Sequence, residues 1–220
     1  MRRNNDRLIY GYEKFKETVG VSTEVFMQEL LEKSRELRAP DFSSMIQVHD
    51  NHIEYAQPGM IHPDTDGLVT DQTGLMLYGC FADCLPIYIW DNHRPLIGLA
   101  HAGWKGTSGR IAQRLAQRLI DMGAEDLSAW IGPGICAKHY QVSAGFDQLA
   151  KPIEPSAYMN KKENGYFFDL FAENRAQLEQ FIKPENIEVT DICTFSYTDY
   201  YSYRRDQQTR GRNLAYLMLK

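Results

Sequence analysis

Three side chains that can bind a metal or act as nucleophile and base follow apolar stretches far apart in the chain. His49 stands in "QVHDNH", Cys84 in "FADCLPI" and His101 in "LAHAGWKG", each at or near the end of a predicted strand. Three His or Cys ligands with a fourth position left open are the arrangement that catalytic zinc favours. A thiol and an imidazole could instead form a nucleophile and its base. None of the spacings is a compact metal motif, so packing of the cysteine and structural hydrogen bonds of the histidines remain alternatives.

Basic residues near these segments could bind an anion. A helix that begins after "HAGWKGTSGR" would offer backbone N–H groups and the positive end of its dipole, with Lys105 and Arg110 nearby. Arg204 and Arg205 could add bidentate phosphate contacts, and we expect one of them, not both, to do so. Ordinary solvation of a surface charge is the alternative for each of these residues.

Other polar residues near the three side chains are expected to be structural. Cys80 precedes Cys84 by four residues, so in one strand the two would share a face, although packing is the expected role of Cys80. Asp83 would then point to the opposite face and accept structural hydrogen bonds instead of shuttling protons. "GPGICA" at 132–137 fits a phosphate loop only weakly and is expected to be a turn at the rim of the site. The remaining histidines lie in polar stretches and are expected to be solvated: His52, His62, His93 and His139.

Hydrophobic periodicity predicts the elements that position these residues. Apolar residues at helical spacing predict helices over 22–39, 109–123 and 168–182. The candidate N-caps of the first two helices are Ser22 or Thr23, and Thr107 or Ser108. Extended segments are predicted over 45–56, 74–90 (interrupted at Gly79 and Pro86), 95–103, 127–135, 187–195 and 212–220. Helices and strands do not alternate strictly, which predicts an α+β fold with a mixed sheet core flanked by helices.

Composition narrows the classes of function. A chain of 220 residues without an evident linker predicts one domain over residues 1–220. The net charge of −5 and pI near 5.7 argue against a nucleic-acid partner. No signal peptide and no spanning apolar stretch is visible, so we expect no membrane partner and a cytoplasmic location. Four cysteines are too few for a disulfide scaffold, which leaves free, metal-bound or catalytic thiols.

Six segments resemble the laccase-domain family, in the order in which that family has them. They are "QVH", "DGLVT", "ADCLPI", "GLAHAGWKGT", "IGPGI" and "SYRRD…GR", and the likeness extends over about residues 40–220. The resemblance implies that His49, Cys84 and His101 hold the metal and form the catalytic centre. The chain departs from the family pattern in "RRDQQTRGR" and at Asp50, which follows "QVH" in place of glycine.

Members of this family, first called multicopper polyphenol oxidases, were later described as zinc-dependent purine nucleoside phosphorylases with adenosine deaminase activity. The resemblance therefore implies Zn²⁺-dependent phosphorolysis of adenosine, inosine, guanosine or methylthioadenosine to the free base and ribose 1-phosphate. Nucleoside and phosphate are then the partners, and deamination is an added activity. Zn²⁺ is favoured over Cu²⁺ because six histidines without a His-x-His pair are too few for a multicopper cluster.

Two alternatives remain open on the sequence. A Cys84–His101 dyad would make the protein a cysteine hydrolase or amidase, in line with a role in editing peptidoglycan precursors assigned within the family. A metal or thiol could also serve only to stabilise the fold of an interaction protein.

Overall fold

Two six-stranded sheets form the centre of the molecule. The structure, a computed structural model, describes residues 2–4, 6–161 and 165–220. The first sheet contains, in spatial order, β1 (Arg2–Asn4), β2 (Leu8–Glu17), β15 (Gly211–Leu219), β7 (Leu75–Phe81), β3 (Asp41–Met45) and β5 (Met60–His62). The C-terminal strand β15 is antiparallel to both of its neighbours, β2 and β7. Strand β3 runs parallel to β7 and β5, so the sheet is mixed.

The second sheet is also mixed, and one of its strands carries His101, a residue of the candidate site. It contains, in spatial order, β14 (Ile187–Val189), β10 (Leu127–Ile131), β8 (Leu85–Asp91), β9 (Ile97–Ala102), β6 (Gly67–Thr70) and β4 (Ile53–Tyr55). Strands β8 and β9 form an antiparallel pair in which Pro86 lies opposite His101. A small third sheet consists of β11 (Gln141–Val142), β13 (Gly165–Phe168) and β12 (Tyr158–Lys161).

Helices cover the outer faces of the two large sheets. They are α1 (Thr23–Leu37), α2 (Trp104–Ser108), α3 (Ile111–Asp121), α4 (Phe146–Ala150) and α5 (Leu170–Leu178), with 3₁₀ turns at Pro155–Ala157 and Pro184–Asn186. Helix α1 packs on the first sheet, and α3 and α5 pack on the second. None of the helices described is long and apolar enough to cross a bilayer.

Alternation along the strands divides the core into layers. Leu75 and Leu77 of β7 face the second sheet, whereas Met76 and Tyr78 between them face α1. In β9, Ile97 and Leu99 face the first sheet, and the alternate residues Ala100 and Ala102 face α3. The order of layers is thus α1, first sheet, second sheet, α3 with α5. This arrangement confirms the predicted α+β fold with a mixed sheet core flanked by helices.

The three predicted helices exist with shifted ends. Ser22 caps α1 by accepting from the Val25 backbone N–H at 3.4 Å. The expected caps of the second helix are wrong, because a separate short helix, α2, occupies 104–108 and the cap of α3 is Arg110 with φ +66°. Thr107 instead accepts a hydrogen bond from Asn174 at 2.9 Å. The third helix ends at Leu178, four residues before the predicted end.

Two predicted strand segments are divided differently from the expectation. The 74–90 segment is not interrupted at Gly79 and Pro86, which lie inside β7 and β8; it turns at 82–84, where Asp83 has φ +83°. The 45–56 segment is extended only at its ends, because residues 46–52 form a loop. Both irregular stretches connect the first sheet to the second. His49 and Cys84 lie on these two connections.

Candidate metal centre

His101 is held in a fixed orientation by a buried carboxylate. Its side chain, on β9, points toward the first sheet and packs against Phe81 with ring centroids 5.3 Å apart, and the residue is 3% exposed. Its Nδ1 lies 2.8 Å from Oδ1 of Asp66, which is completely buried. Because a carboxylate accepts from that nitrogen, Nε2 is the ring atom left to bind a metal.

The same carboxylate orders the loop that carries His49. Oδ2 of Asp66 accepts from the backbone N–H groups of Val48 at 3.1 Å and Asp50 at 2.9 Å. Oδ1 accepts from the N–H of His49 at 3.0 Å. These bonds hold His49 in the left-handed region with φ +63° and bring its ring edge-on to that of His101, with centroids 4.8 Å apart. Burial raises the pKa of Asp66, but the bonds from His101 and the loop amides lower it overall.

Cys84 faces both imidazoles from the connection between β7 and β8. Burial raises the pKa of its thiol, but His101 and His49 outweigh burial and lower that pKa to about 6. Burial also lowers the pKa of His101, whereas Cys84 and Asp66 raise it to about 9. At neutral pH these shifts pair a Cys84 thiolate with a protonated His101, so a metal that binds both residues displaces the Nε2 proton of the imidazole.

The three donor atoms are close enough to share one ion. The ligand atoms of His49, Cys84 and His101 all lie within 4.8 Å of one another. A Cβ at residue 103 would stand 2.9 Å from Sγ of Cys84 and 3.3 Å from the His49 ring, so Gly103 leaves this space open. His49 is exposed, which opens one side of the cluster to solvent. Two imidazoles, one thiolate and a carboxylate behind one imidazole suit Zn²⁺.

Arg205 and Arg110, two of the four basic side chains predicted to bind phosphate, donate their hydrogen bonds to groups of the protein itself. Arg205 donates from Nη1 to the carbonyls of Thr194, Phe195 and Tyr197, and from Nη2 to that of Tyr200. Its remaining donors bind the Asp206 carboxylate. All five of its N–H groups thus have acceptors within the protein.

Arg110 also bonds to protein groups, whereas the side chains of Arg204 and Lys105 are exposed. Arg110 pairs with Glu173 at 2.6 Å and donates to the Lys151 carbonyl at 2.7 Å. The guanidinium of Arg204 lies 5.3 Å from the centre of the Tyr140 ring and donates to the carbonyl of Gln141 at 3.1 Å. The amine of Lys105 lies 5.9 Å from the ring centre of Trp104.

The residues beside Cys84 differ in part from the expectation. Cys80 does not share a face with Cys84, because the chain turns between them; it packs on the α1 side, where burial raises its pKa to about 12. Asp83 accepts from the Thr194 hydroxyl and from the Arg204 backbone N–H, both at 2.7 Å. Gly134 of the 132–137 turn packs against the Asp83 carbonyl.

Asp66 had no predicted role, and His62, predicted to be solvated, is buried. Asp66 begins "DGLVT", one of the segments that resemble the laccase-domain family, and this was its only signal in the sequence. His62 is 4% exposed, and its Nε2 lies 3.1 Å from the Ser43 hydroxyl. His139 also has polar neighbours, the thiols of Cys136 and Cys193.

Comparison with known proteins gives consistent matches. The profile of the family described as multi-copper polyphenol oxidoreductase laccase matches residues 23–220. The chain is 37% identical over 184 residues to a purine nucleoside phosphorylase of Deinococcus radiodurans, covering 82% of this chain and 71% of that protein. It is 38% identical over 164 residues to the purine nucleoside phosphorylase YlmD of Geobacillus stearothermophilus, covering 70% of this chain but only 60% of YlmD.

Solved structures show the same fold. The Bacillus licheniformis hypothetical protein YfiH superposes with a TM-score of 0.87 at 29% identity, covering 97% of this chain and 93% of that one. The structure of YlmD from Geobacillus stearothermophilus gives a TM-score of 0.85 at 28% identity, covering 97% and 92%.

Proposed function

This chain belongs to the multi-copper polyphenol oxidoreductase laccase family, and from that membership we propose that it is a Zn²⁺-dependent purine nucleoside phosphorylase. Its relatives in this family are named purine nucleoside phosphorylases. The observation that carries the proposal is the convergence of His49, Cys84 and His101 within 4.8 Å. The products would be a free purine base and ribose 1-phosphate.

The proposed ligands are His49, Cys84 and Nε2 of His101. When bound, the ion would supply Lewis-acid polarisation and neutralisation of negative charge. Asp66 keeps the proton of His101 at Nδ1, so the other nitrogen faces Cys84. Two imidazoles and one thiolate can hold a single Zn²⁺ with one position open, and they are too few for a multicopper cluster; a single Cu²⁺ is the alternative ion for the same donors.

We assign phosphate binding to Arg204, with Lys105 as a second cation. The guanidinium of Arg204 lies over Tyr140, and its backbone N–H donates at 2.7 Å to the carboxylate of Asp83, the residue before Cys84. A guanidinium presents a planar fork that matches two phosphate oxygens. Arg204 donates to protein carbonyls through Nη1 alone, whereas Arg110 is engaged through both Nη atoms and Arg205 through all of its donors.

The test is phosphate-dependent release of adenine. Zn²⁺-loaded protein is incubated with adenosine, with and without phosphate, and adenine, ribose 1-phosphate and inosine are quantified by chromatography. We expect adenine and ribose 1-phosphate in equal amounts only when phosphate is present. Inosine would report the additional deaminase activity.

Matched variants distinguish the loss of a metal ligand from the effect that any histidine or cysteine substitution has on the protein. Cys84→Ser is expected to lower turnover by at least about 100-fold, because it removes a ligand of the proposed ion. His93→Gln changes a histidine side chain that is 74% exposed and is expected to retain full turnover. No adenine from metal-loaded wild type, or unchanged turnover in Cys84→Ser, would contradict the proposal.

The cysteine hydrolase alternative is not favoured. A dyad of Cys84 and His101 does not use His49, yet Asp66 holds the backbone of His49 beside both residues. The relatives are named phosphorylases, not hydrolases. Chelation distinguishes the two chemistries, since a dyad would keep its activity when metal is removed and would lose it to iodoacetamide.

A further inference from the structure

A second group of soft ligands lies on two loops outside the proposed centre. Cys136 and His139 are on the turn after β10, and Cys193 is on the segment after β14. The backbones of these segments are joined, because Thr194 N–H donates to the Gly134 carbonyl at 2.9 Å. Cys193 is 5% exposed, and the other two residues are half-buried.

The distances within this group match those of ligands around a single ion. Nδ1 of His139 lies 3.3 Å from Sγ of Cys136 and 3.5 Å from Sγ of Cys193, and all three atoms lie within 4.8 Å of one another. Zinc–sulfur bonds of about 2.3 Å and zinc–nitrogen bonds of about 2.0 Å in a tetrahedron place sulfur and nitrogen about 3.5 Å apart.

Neighbouring groups orient these ligands. The His139 ring stacks on Phe195 with centroids 4.4 Å apart and planes 19° apart, which fixes the direction of Nδ1. The backbone N–H of Cys136 donates to Sγ of Cys193 at 3.2 Å, as amides do to metal-bound thiolates. The hydroxyl of the exposed Ser196 lies 3.4 Å from Nδ1 of His139.

We propose that Cys136, His139 and Cys193 form a second, structural metal site that takes a thiophilic divalent cation such as Zn²⁺. This ion would join the turn after β10 to the segment after β14. Both segments contact the residue that precedes Cys84: Ile135 N–H donates to the Asp83 carbonyl at 2.8 Å, and the Thr194 hydroxyl donates to its carboxylate at 2.7 Å. The second site therefore steadies the backbone beside the first without sharing a ligand.

The test is Co²⁺ titration of the full chain after chelator treatment in the presence of reductant. A two-thiolate site gives a stronger thiolate-to-cobalt absorption than a one-thiolate site. We expect His139→Gln to lower the affinity of the two-thiolate site at least about tenfold. Cys84→Ser, which alters only the first centre, is expected to retain the two-thiolate spectrum.

Controls keep the result independent of folding and of the proposed activity. Cys136→Ser is a second variant at a half-buried position and is expected to remove the two-thiolate spectrum. His93→Gln and wild type are expected to bind identically. A Co²⁺ spectrum unchanged in both His139→Gln and Cys136→Ser would overturn the second site, as would a Cys136–Cys193 disulfide found by mass spectrometry in the Co²⁺-titrated protein.

Discussion

At the scale of single residues, Asp66 organises the proposed centre without occupying a ligand position. One oxygen accepts from His101 and from the His49 amide, and the other accepts from the amides of Val48 and Asp50. Four donors bind one buried carboxylate, so each of its two oxygens must accept two hydrogen bonds. An asparagine side chain in this position would place its own N–H groups against two of these N–H donors.

Asp66→Asn is therefore expected to weaken metal binding. A lost partner of a ligating histidine typically lowers metal affinity by about 10- to 100-fold. The measurement is Zn²⁺ competition against a chromophoric chelator. Asp64→Asn is the matched control, because Asp64 is exposed and its φ of +47° is one that asparagine tolerates. Equal Zn²⁺ affinity in wild type and Asp66→Asn would refute the positioning role.

Their residue types and strand-end positions made His49, Cys84 and His101 candidates, and the resemblance to the laccase-domain family selected these three as ligands. Asp66 was not visible, since a carboxylate acquires this role only through contacts with residues 16 to 35 positions away. The hydrogen bonds of Arg205 within the protein could not be predicted for the same reason. Its acceptors are main-chain carbonyls, which any residue type can provide.

At the scale of elements, turns hold the ends of the strands together. The Asp91 carboxylate at the end of β8 accepts from the backbone N–H groups of His93 and Arg94 through one oxygen, and of Glu125 and Asp126 through the other. It thereby joins the turn between β8 and β9 to the chain entering β10. Burial raises the pKa of Asp91, but these four amides outweigh burial and lower it to about 2.

This lowered pKa predicts a pH-dependent contribution to stability. An unfolded aspartate has a pKa of about 3.9, so the contribution of about 2 kcal/mol is complete above about pH 5 and is lost as pH falls toward 2. Asp91→Asn is expected to lower the free energy of unfolding by about that amount at pH 7, with a smaller difference from wild type near pH 2.

Urea unfolding of chelator-treated protein at several pH values measures this difference. Asp121→Asn is the control, because Asp121 is exposed at the end of α3. A difference between Asp91→Asn and wild type that does not change from pH 7 to pH 2 would count against the carboxylate as its source.

The sequence predicted extended chain over β7 to β10, β14 and β15, but it predicted neither the ten-residue strand β2 nor the turn at 82–84. Gly79 and Pro86 are usual interruptions, yet Gly79 leaves room for the Phe81 ring, which a Cβ would approach to 2.8 Å. The actual turn contains neither glycine nor proline. Asp83 adopts φ +83° there, and its carboxylate is held by Thr194 and Arg204, more than a hundred residues away.

At the scale of the whole molecule, the two sheets pack face to face and His101 lies at the edge of their shared core. Leu99 precedes it on the same face of β9 and is completely buried among residues of both sheets. Leu99→Ala is expected to lower the free energy of unfolding by about 2–5 kcal/mol, since it leaves a cavity between the sheets.

Chemical denaturation measures this effect, with Leu149→Ala as the control. Leu149 is 62% exposed, and its truncation is expected to change the free energy of unfolding by less than about 0.5 kcal/mol. Similar losses in both variants would show that the core between the sheets does not dominate stability. The α+β class followed from the order of elements, but the layering depends on β15 pairing between β2 and β7, which local sequence patterns do not encode.

Because His49 and Cys84 lie on connections between the sheets and His101 lies on the second sheet, neither half of the molecule carries the whole ligand set. If these residues bind an ion as proposed, a nascent or fragmentary chain would lack the chelating geometry, and ion uptake would follow the docking of the two sheets. Metal content would then report correct assembly, because copies in which the sheets have not joined would not retain an ion.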